Sequence, residues 1–123
     1  MDIIKVLVID DNKNHAEGLA ELLNISGFDS ICAGNGADGI EQAERLQVDA
    51  VLLDLDLPDM TGYEVCQRLR DNPVTASTAV IFHTGSQPTA TVAKIADAFL
   101  TYPVGIDEIS AVVQGCVARR KKG

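Results

Sequence analysis

At 123 residues the chain is sized for one domain around a single core, and its 46% apolar content contains no run long enough to cross a bilayer. Its net charge of −8, from 18 acidic against 10 basic residues, argues against direct nucleic-acid binding, which draws on clustered Lys and Arg, and suits a cation site or basic protein partners. Cys32, Cys66 and Cys116 are odd in number and lack a C-x-x-C pair, which argues against a disulfide framework or zinc site and for small buried apolar residues.

Strand-like and helix-like segments then alternate five times along the chain. Ile3 to Ile9 reads as a first strand running into Asp10 and Asp11; this apolar start carries Asp2 and Lys5 and shows no signal-peptide pattern, so a cytoplasmic location is expected. Asn14 is placed as the cap of a helix to Leu23, with Ala16, Leu19, Ala20 and Leu23 on one face and Gly27 as its stop. Phe28 to Ala33 is a less apolar strand suited to a sheet edge, and Gly36 to Leu46 a helix carrying Ile40, Ala43 and Leu46. Val48 to Leu53 is almost wholly apolar, hence central, and ends on Asp54. Tyr63 to Arg70 follows as a helix with Val65, Cys66 and Leu69 inward, then a polar loop from Asp71 to Thr75. Ala79 to Phe82 is strand four, Pro88 to Ala96 helix four, and Ala98 to Leu100 a short fifth strand. Ile106 to Val117 closes the chain as a helix with Ile109, Val112, Val113 and Cys116 inward. No repeat, low-complexity segment or linker interrupts this order.

Strict alternation predicts an α/β fold: a doubly wound, five-stranded parallel sheet of order 2-1-3-4-5, flavodoxin-like, with helices on both faces. Its ligand crevice lies where the strand order reverses, between strands one and three, which end in Asp10-Asp11 and Asp54. The spacing between those acids is what strand-helix-strand-helix-strand needs to set them side by side. Three carboxylates converging there repel one another unless a divalent cation sits between them. The expected site is therefore a small magnesium pocket with one carboxylate free to react.

Four ordered motifs carry a family resemblance over the whole chain. Asp10-Asp11 after strand one, Asp54-Leu55-Asp56-Leu57-Pro58-Asp59-Met60-Thr61-Gly62, Thr84 after strand four, and Ala96-Asp97-Ala98-Phe99-Leu100-Thr101-Tyr102-Pro103 together resemble the receiver domain of two-component response regulators. The resemblance implies that Asp54 is a phosphoacceptor taking a phosphoryl group from a phosphohistidine on a sensor histidine kinase or histidine phosphotransfer protein. It implies Mg²⁺ held by Asp11 and Asp54, by Asp10 directly or through water, and by the Asp56 backbone carbonyl. Thr84 would hydrogen-bond the phosphoryl group and swing inward, with Phe99 moving into the vacated space. The family's lysine is absent: Tyr102 stands in its place, a neutral hydroxyl for an ammonium. Hydrogen bonds to charged groups contribute roughly 1.5–3 kcal/mol, so this exchange should alter labelling rate, lifetime or coupling without removing nucleophile or metal ligands. Lys13 is a candidate substitute cation and Lys94 a weaker one, although a solvated loop lysine is the plainer reading of Lys13.

Each element also has a plain structural reading. Strand-end acids can be helix caps, Thr84 before a glycine can be turn material, Phe99 a core aromatic and His83, without a partner at ligand spacing, a strand-end residue. Pro58 and Gly62 are expected to shape the loop and turn after Asp54. Arg119-Arg120-Lys121-Lys122 suits the end of the last helix, and residues 118–123 are either a basic tail or the start of a linker. Gly34 to Gly39 spells G-x-G-x-x-G, but at the second βα turn rather than the first, and it leaves Asp10-Asp11 and Thr84 unexplained. Leu52-Leu53-Asp54-Leu55-Asp56 resembles the D-x-D motif of haloacid-dehalogenase-like phosphatases, yet the strand is not the first and the later lysine and acidic pair are not placed.

The expectation is thus one receiver domain over residues 1–123, a signalling phosphoacceptor rather than a turnover enzyme, with no contact to nucleic acid or membrane. Its output surface would be helix four, strand five and helix five, facing a downstream protein, an output domain or a second copy as a homodimer. The alternative is a degenerate receiver that docks or dimerises without phosphorylation, Tyr102 being the reason.

Overall fold

The computed structural model describes residues 2–87 and 89–122; Pro88, with which helix four was expected to begin, lies outside them. The elements run β1 (Lys5–Ile9), α1 (Lys13–Ile25), β2 (Asp29–Ala33), α2 (Gly36–Leu46), β3 (Ala50–Leu53), α3 (Gly62–Asp71), β4 (Ala79–Thr84), α4 (Ala90–Ile95), β5 (Ala98–Thr101) and α5 (Ile106–Lys122). Every strand pairing within the sheet is parallel and the order is β2-β1-β3-β4-β5, the flavodoxin-like arrangement expected, with β2 at an edge. Among the described residues no helix is long and apolar enough to cross a membrane.

Because strand side chains alternate, each strand feeds two cores. Val6, Val8, Ala50, Leu52, Ala79 and Ile81 face α1 and α5, packed with Leu19, Leu23, Ile109 and Val113. Leu7, Ile9, Val51, Leu53, Val80 and Phe82 face the other way, against Ala43, Val65, Leu69 and Val92 of α2, α3 and α4. The central strands are buried on both faces, which is why they read as unbroken apolar runs.

Several boundaries differ from the sequence reading, each for a local reason. β1 starts at Lys5, where pairing with Asp29 begins, leaving Ile3 exposed. The cap of α1 is Asn12 rather than Asn14: its side-chain oxygen accepts from the His15 amide at 3.1 Å. Thr61 and Thr89 cap α3 and α4 in the same way. β4 and β5 each run further, because His83 pairs with Leu100 and Thr84 with Thr101. α5 continues through Ala118 to Lys122, and near that end Arg120 finds a carboxylate.

Gly62 owes its place to a close approach rather than only to a turn. A Cβ there would sit 2.5 Å from the Asp54 carbonyl oxygen and 2.8 Å from a Phe82 ring carbon, while the Gly62 amide donates to the Leu55 carbonyl at 2.7 Å. The loop after β3 is thereby folded back over its own start. Its far end is tied to α2, whose Gly36 and Ala37 amides donate to the two Asp59 carboxylate oxygens at 2.8 and 2.9 Å. Those bonds hold the Asp59 carboxyl below its usual range.

Candidate functional site

Asp10 and Asp11 follow β1 and Asp54 follows β3, and these strands are neighbours, with Ile9 level with Leu53. One carboxylate oxygen from each of the three acids lies within 4.8 Å of the other two. Asp10 is buried, Asp54 half-buried and Asp11 exposed, so the cluster opens to solvent on one side. An all-oxygen, acidic, partly open set of this kind fits a hard divalent cation that keeps some of its waters. Burial first, then the Asp10 charge, raises the Asp54 carboxyl above its ordinary value; the Asp56 amide, donating to Oδ1 at 3.3 Å, and the Thr84 hydroxyl act against this.

Around this cluster the other candidates are placed as follows. Thr84 is buried at the end of β4, its hydroxyl oxygen accepting from the Ser86 amide at 3.2 Å. Asp56 is exposed, with its carboxylate 3.4 Å from the Ser86 hydroxyl. Phe99 is half-buried on the α4 side, stacked on Phe82 with ring centroids 5.1 Å apart. Tyr102 reaches the acid cluster: its hydroxyl lies 3.4 Å from Asp10 Oδ2, and the Tyr102–Pro103 peptide bond is cis. Burial, followed by the Asp10 and Asp54 charges, pushes the Tyr102 phenol well above its usual range, so this group stays neutral. Lys13 and Lys94 are exposed, and among the described residues neither forms an ion pair.

The basic group that does touch the acids is one that sequence reasoning missed. His15, in the first turn of α1, places Nδ1 2.7 Å from Asp10 Oδ2. Its ring stacks on His83 at 5.5 Å and meets the Tyr102 ring edge-on at 4.8 Å, while Tyr102 and His83 are 4.5 Å apart. His83 lies inside β4, one residue before its end, and alternation turns it toward α1, into the company of a second histidine from another element. The available signal was that Asp10 and His15 are five residues apart across the Asn12 cap.

His83 is buried, and desolvation first, then the neighbouring His15, lowers its pKa to about 4. Between pH 6.5 and 4 the unfolded chain therefore binds a proton that the folded chain does not, and stability falls as pH falls. Replacing His83 by Phe is expected to remove about 2–3 kcal/mol of that loss between pH 7 and 4.5, read by urea denaturation at each pH.

The family model for the response regulator receiver domain matches residues 6–114. The chain belongs to the response regulator receiver domain family. Its relatives include the cell cycle transcriptional regulator CtrA of Caulobacter vibrioides, 32% identical over 98% of this receiver domain and 52% of that protein. The sensor histidine kinase AtsR of Burkholderia thailandensis is 31% identical over 89% of the receiver domain and 19% of the kinase. This receiver domain thus spans about half the length of one curated relative and a fifth of the other. Among solved structures, a CheY-like response regulator receiver domain from Methylobacillus flagellatus superposes with a TM-score of 0.87 at 25% identity, covering 94% of this chain and 99% of that one.

Proposed function

We propose that this receiver domain accepts a phosphoryl group on Asp54 from a phosphohistidine donor and relays the change to a protein surface. The observation that carries the reading is the meeting of three carboxylates from two adjacent strand ends, with Asp54 half-buried beside the Thr84 hydroxyl. An Asp54 oxygen attacks phosphorus; the new O–P bond forms as the donor's N–P bond breaks and the imidazole leaves with the electron pair. Asp11 and Asp54 would hold Mg²⁺ directly, Asp10 directly or through water, and the Asp56 carbonyl would complete the protein's share. When bound, the ion neutralises charge on the phosphoryl oxygens. Thr84 binds one of those oxygens, its inward movement opens space for Phe99, and the α4–β5–α5 face reports the change to a downstream partner or a second copy.

A groove of about 1010 Å³ leads from Asp54 along α1 to the start of α5, lined by Leu19, Leu22, Ile25, Val104 and Ile106. Leu22 and Ile25 are 48% and 76% exposed, an apolar rim at the far end of the groove that opens on Asp54, which suits the donor protein. Leu22→Glu is expected to slow transfer from a phosphorylated histidine kinase at least tenfold and to leave labelling by acetyl phosphate unchanged.

The test of the main reading is acetyl phosphate with Mg²⁺, followed by intact mass. One phosphoryl addition per chain is expected, and none when Mg²⁺ is chelated before acetyl phosphate is added; no addition in the presence of Mg²⁺ overturns the reading. The uncharged Tyr102 hydroxyl also favours a second reading, a receiver that docks without phosphorylation. Tyr102→Lys separates the two: faster or longer-lived labelling is expected if phosphorylation is the function, and unchanged behaviour would show that the missing cation is unimportant here.

A further inference from the structure

Asp10 is 4% exposed, and its lone pairs are nearly all spoken for. Oδ1 accepts from the Asn12 amide at 2.9 Å, while Oδ2 faces His15 Nδ1 at 2.7 Å and the Tyr102 hydroxyl at 3.4 Å. A carboxylate oxygen at that distance requires a proton on Nδ1, whether the ring is neutral or cationic. With two donors on Oδ2 and one on Oδ1, the electron pair left for an ion, or for its water, is on Oδ1.

The His15 ring is itself held in a seat built from β4 and the segments that follow β4 and β5. His83 of β4 stacks on one face at 5.5 Å, and the Tyr102 ring closes the edge at 4.8 Å. Gly85 leaves room for that tyrosine, since a Cβ there would lie 3.3 Å from Tyr102 Cδ2. Histidine 15, histidine 83, glycine 85 and tyrosine 102 are therefore fitted to one another, and the fit ends on Asp10.

We propose that His15 is a positioning residue for the metal site: it fixes the Asp10 carboxylate and selects Oδ1 for the ion. The inference rests on the magnesium reading above. Partners of metal-ligating groups typically set affinity by 10–100-fold, through orientation rather than through direct ligation.

Titration calorimetry with MgCl₂ on the whole chain tests it. His15→Phe keeps a ring for His83 and Tyr102 but removes the donor, and is expected to weaken Mg²⁺ binding about tenfold. His15→Asn, whose side-chain nitrogen falls near the same place, is expected to recover part of the loss, which a purely packing role would not produce. Long-range ¹H–¹⁵N spectra of the wild type should show His15 protonated on Nδ1. Equal or tighter Mg²⁺ binding by His15→Phe, or an unprotonated Nδ1, overturns the inference and leaves the phosphoacceptor reading intact. A wild type that binds no Mg²⁺ overturns both.

Discussion

Asp54→Asn is expected to take up no phosphoryl group from acetyl phosphate under conditions that label the wild type fully. Asparagine keeps the shape of the side chain and can still accept from the Asp56 amide, so the loop after β3 has no reason to move. What it lacks is the anionic nucleophile. The same substitution should change stability with a sign that depends on Mg²⁺. Burial and the Asp10 charge hold the Asp54 pKa above its unfolded value, so its ionised form is disfavoured in the fold at neutral pH. Without divalent ions the variant should melt at the same temperature or slightly above the wild type, and that difference should vanish below the carboxylate range. With Mg²⁺ present the order should reverse, because only the wild type keeps the full ligand set and gains binding free energy on folding. Calorimetric melting with and without Mg²⁺ reads both signs; labelling of the variant at the wild-type level would move the nucleophile elsewhere.

The second large effect is expected far from the site. Asp97, just before β5, ties β5 to α3, β4 and α5 at the N-terminal edge of the sheet, opposite the acid cluster. Its Oδ2 accepts from the Val80 amide at 2.8 Å and from Arg70 of α3 at 2.9 Å, and its Oδ1 from Arg120 of α5 at 2.8 Å. Arg70 is shared with the Ala76 and Thr78 carbonyls. The carboxylate side chain is 16% exposed, so the ion pairs are only partly screened. Removing one member of a buried charged network costs about 3–5 kcal/mol, and partial solvation lowers that to roughly 2–3 here. Asp97→Ala should thus lower the melting temperature by roughly 10 °C. Asp97→Asn, which can still accept from Val80, should fall between, and Arg120→Ala should cost much less because Arg70 remains. A loss under about 1 kcal/mol for Asp97→Ala would show the network to be ornamental.

The two sites illustrate different kinds of legibility. Asp10, Asp11 and Asp54 could be placed together from the chain alone, because each ends an apolar run and parallel pairing aligns the ends of neighbouring strands. Gly62 was read as turn material, whereas its role is to let the loop approach the Asp54 carbonyl, a distance that no local pattern encodes. Lys13 is the nearest cation in sequence and makes no ion pair among the described residues, while His15, two positions later, touches Asp10. The difference is a rotation of two residues around the first turn of α1, set once Asn12 and not Asn14 is the cap.

By itself the amino-acid order determined the alternation of elements, the parallel sheet and its strand order, and the acids at the crevice. These rest on hydrophobic periodicity and on what short connections permit, both of which are local and additive along the chain. Only the tertiary structure decided how polar side chains pair across elements: His15 with Asp10, Tyr102 in the space beside Gly85, Asp59 on the amides of α2, and Asp97 between Arg70 and Arg120. Such pairs have no period. They depend on side-chain direction and on distances of a few ångströms between residues far apart in sequence, which are fixed only when the cores on both sides of the sheet have closed.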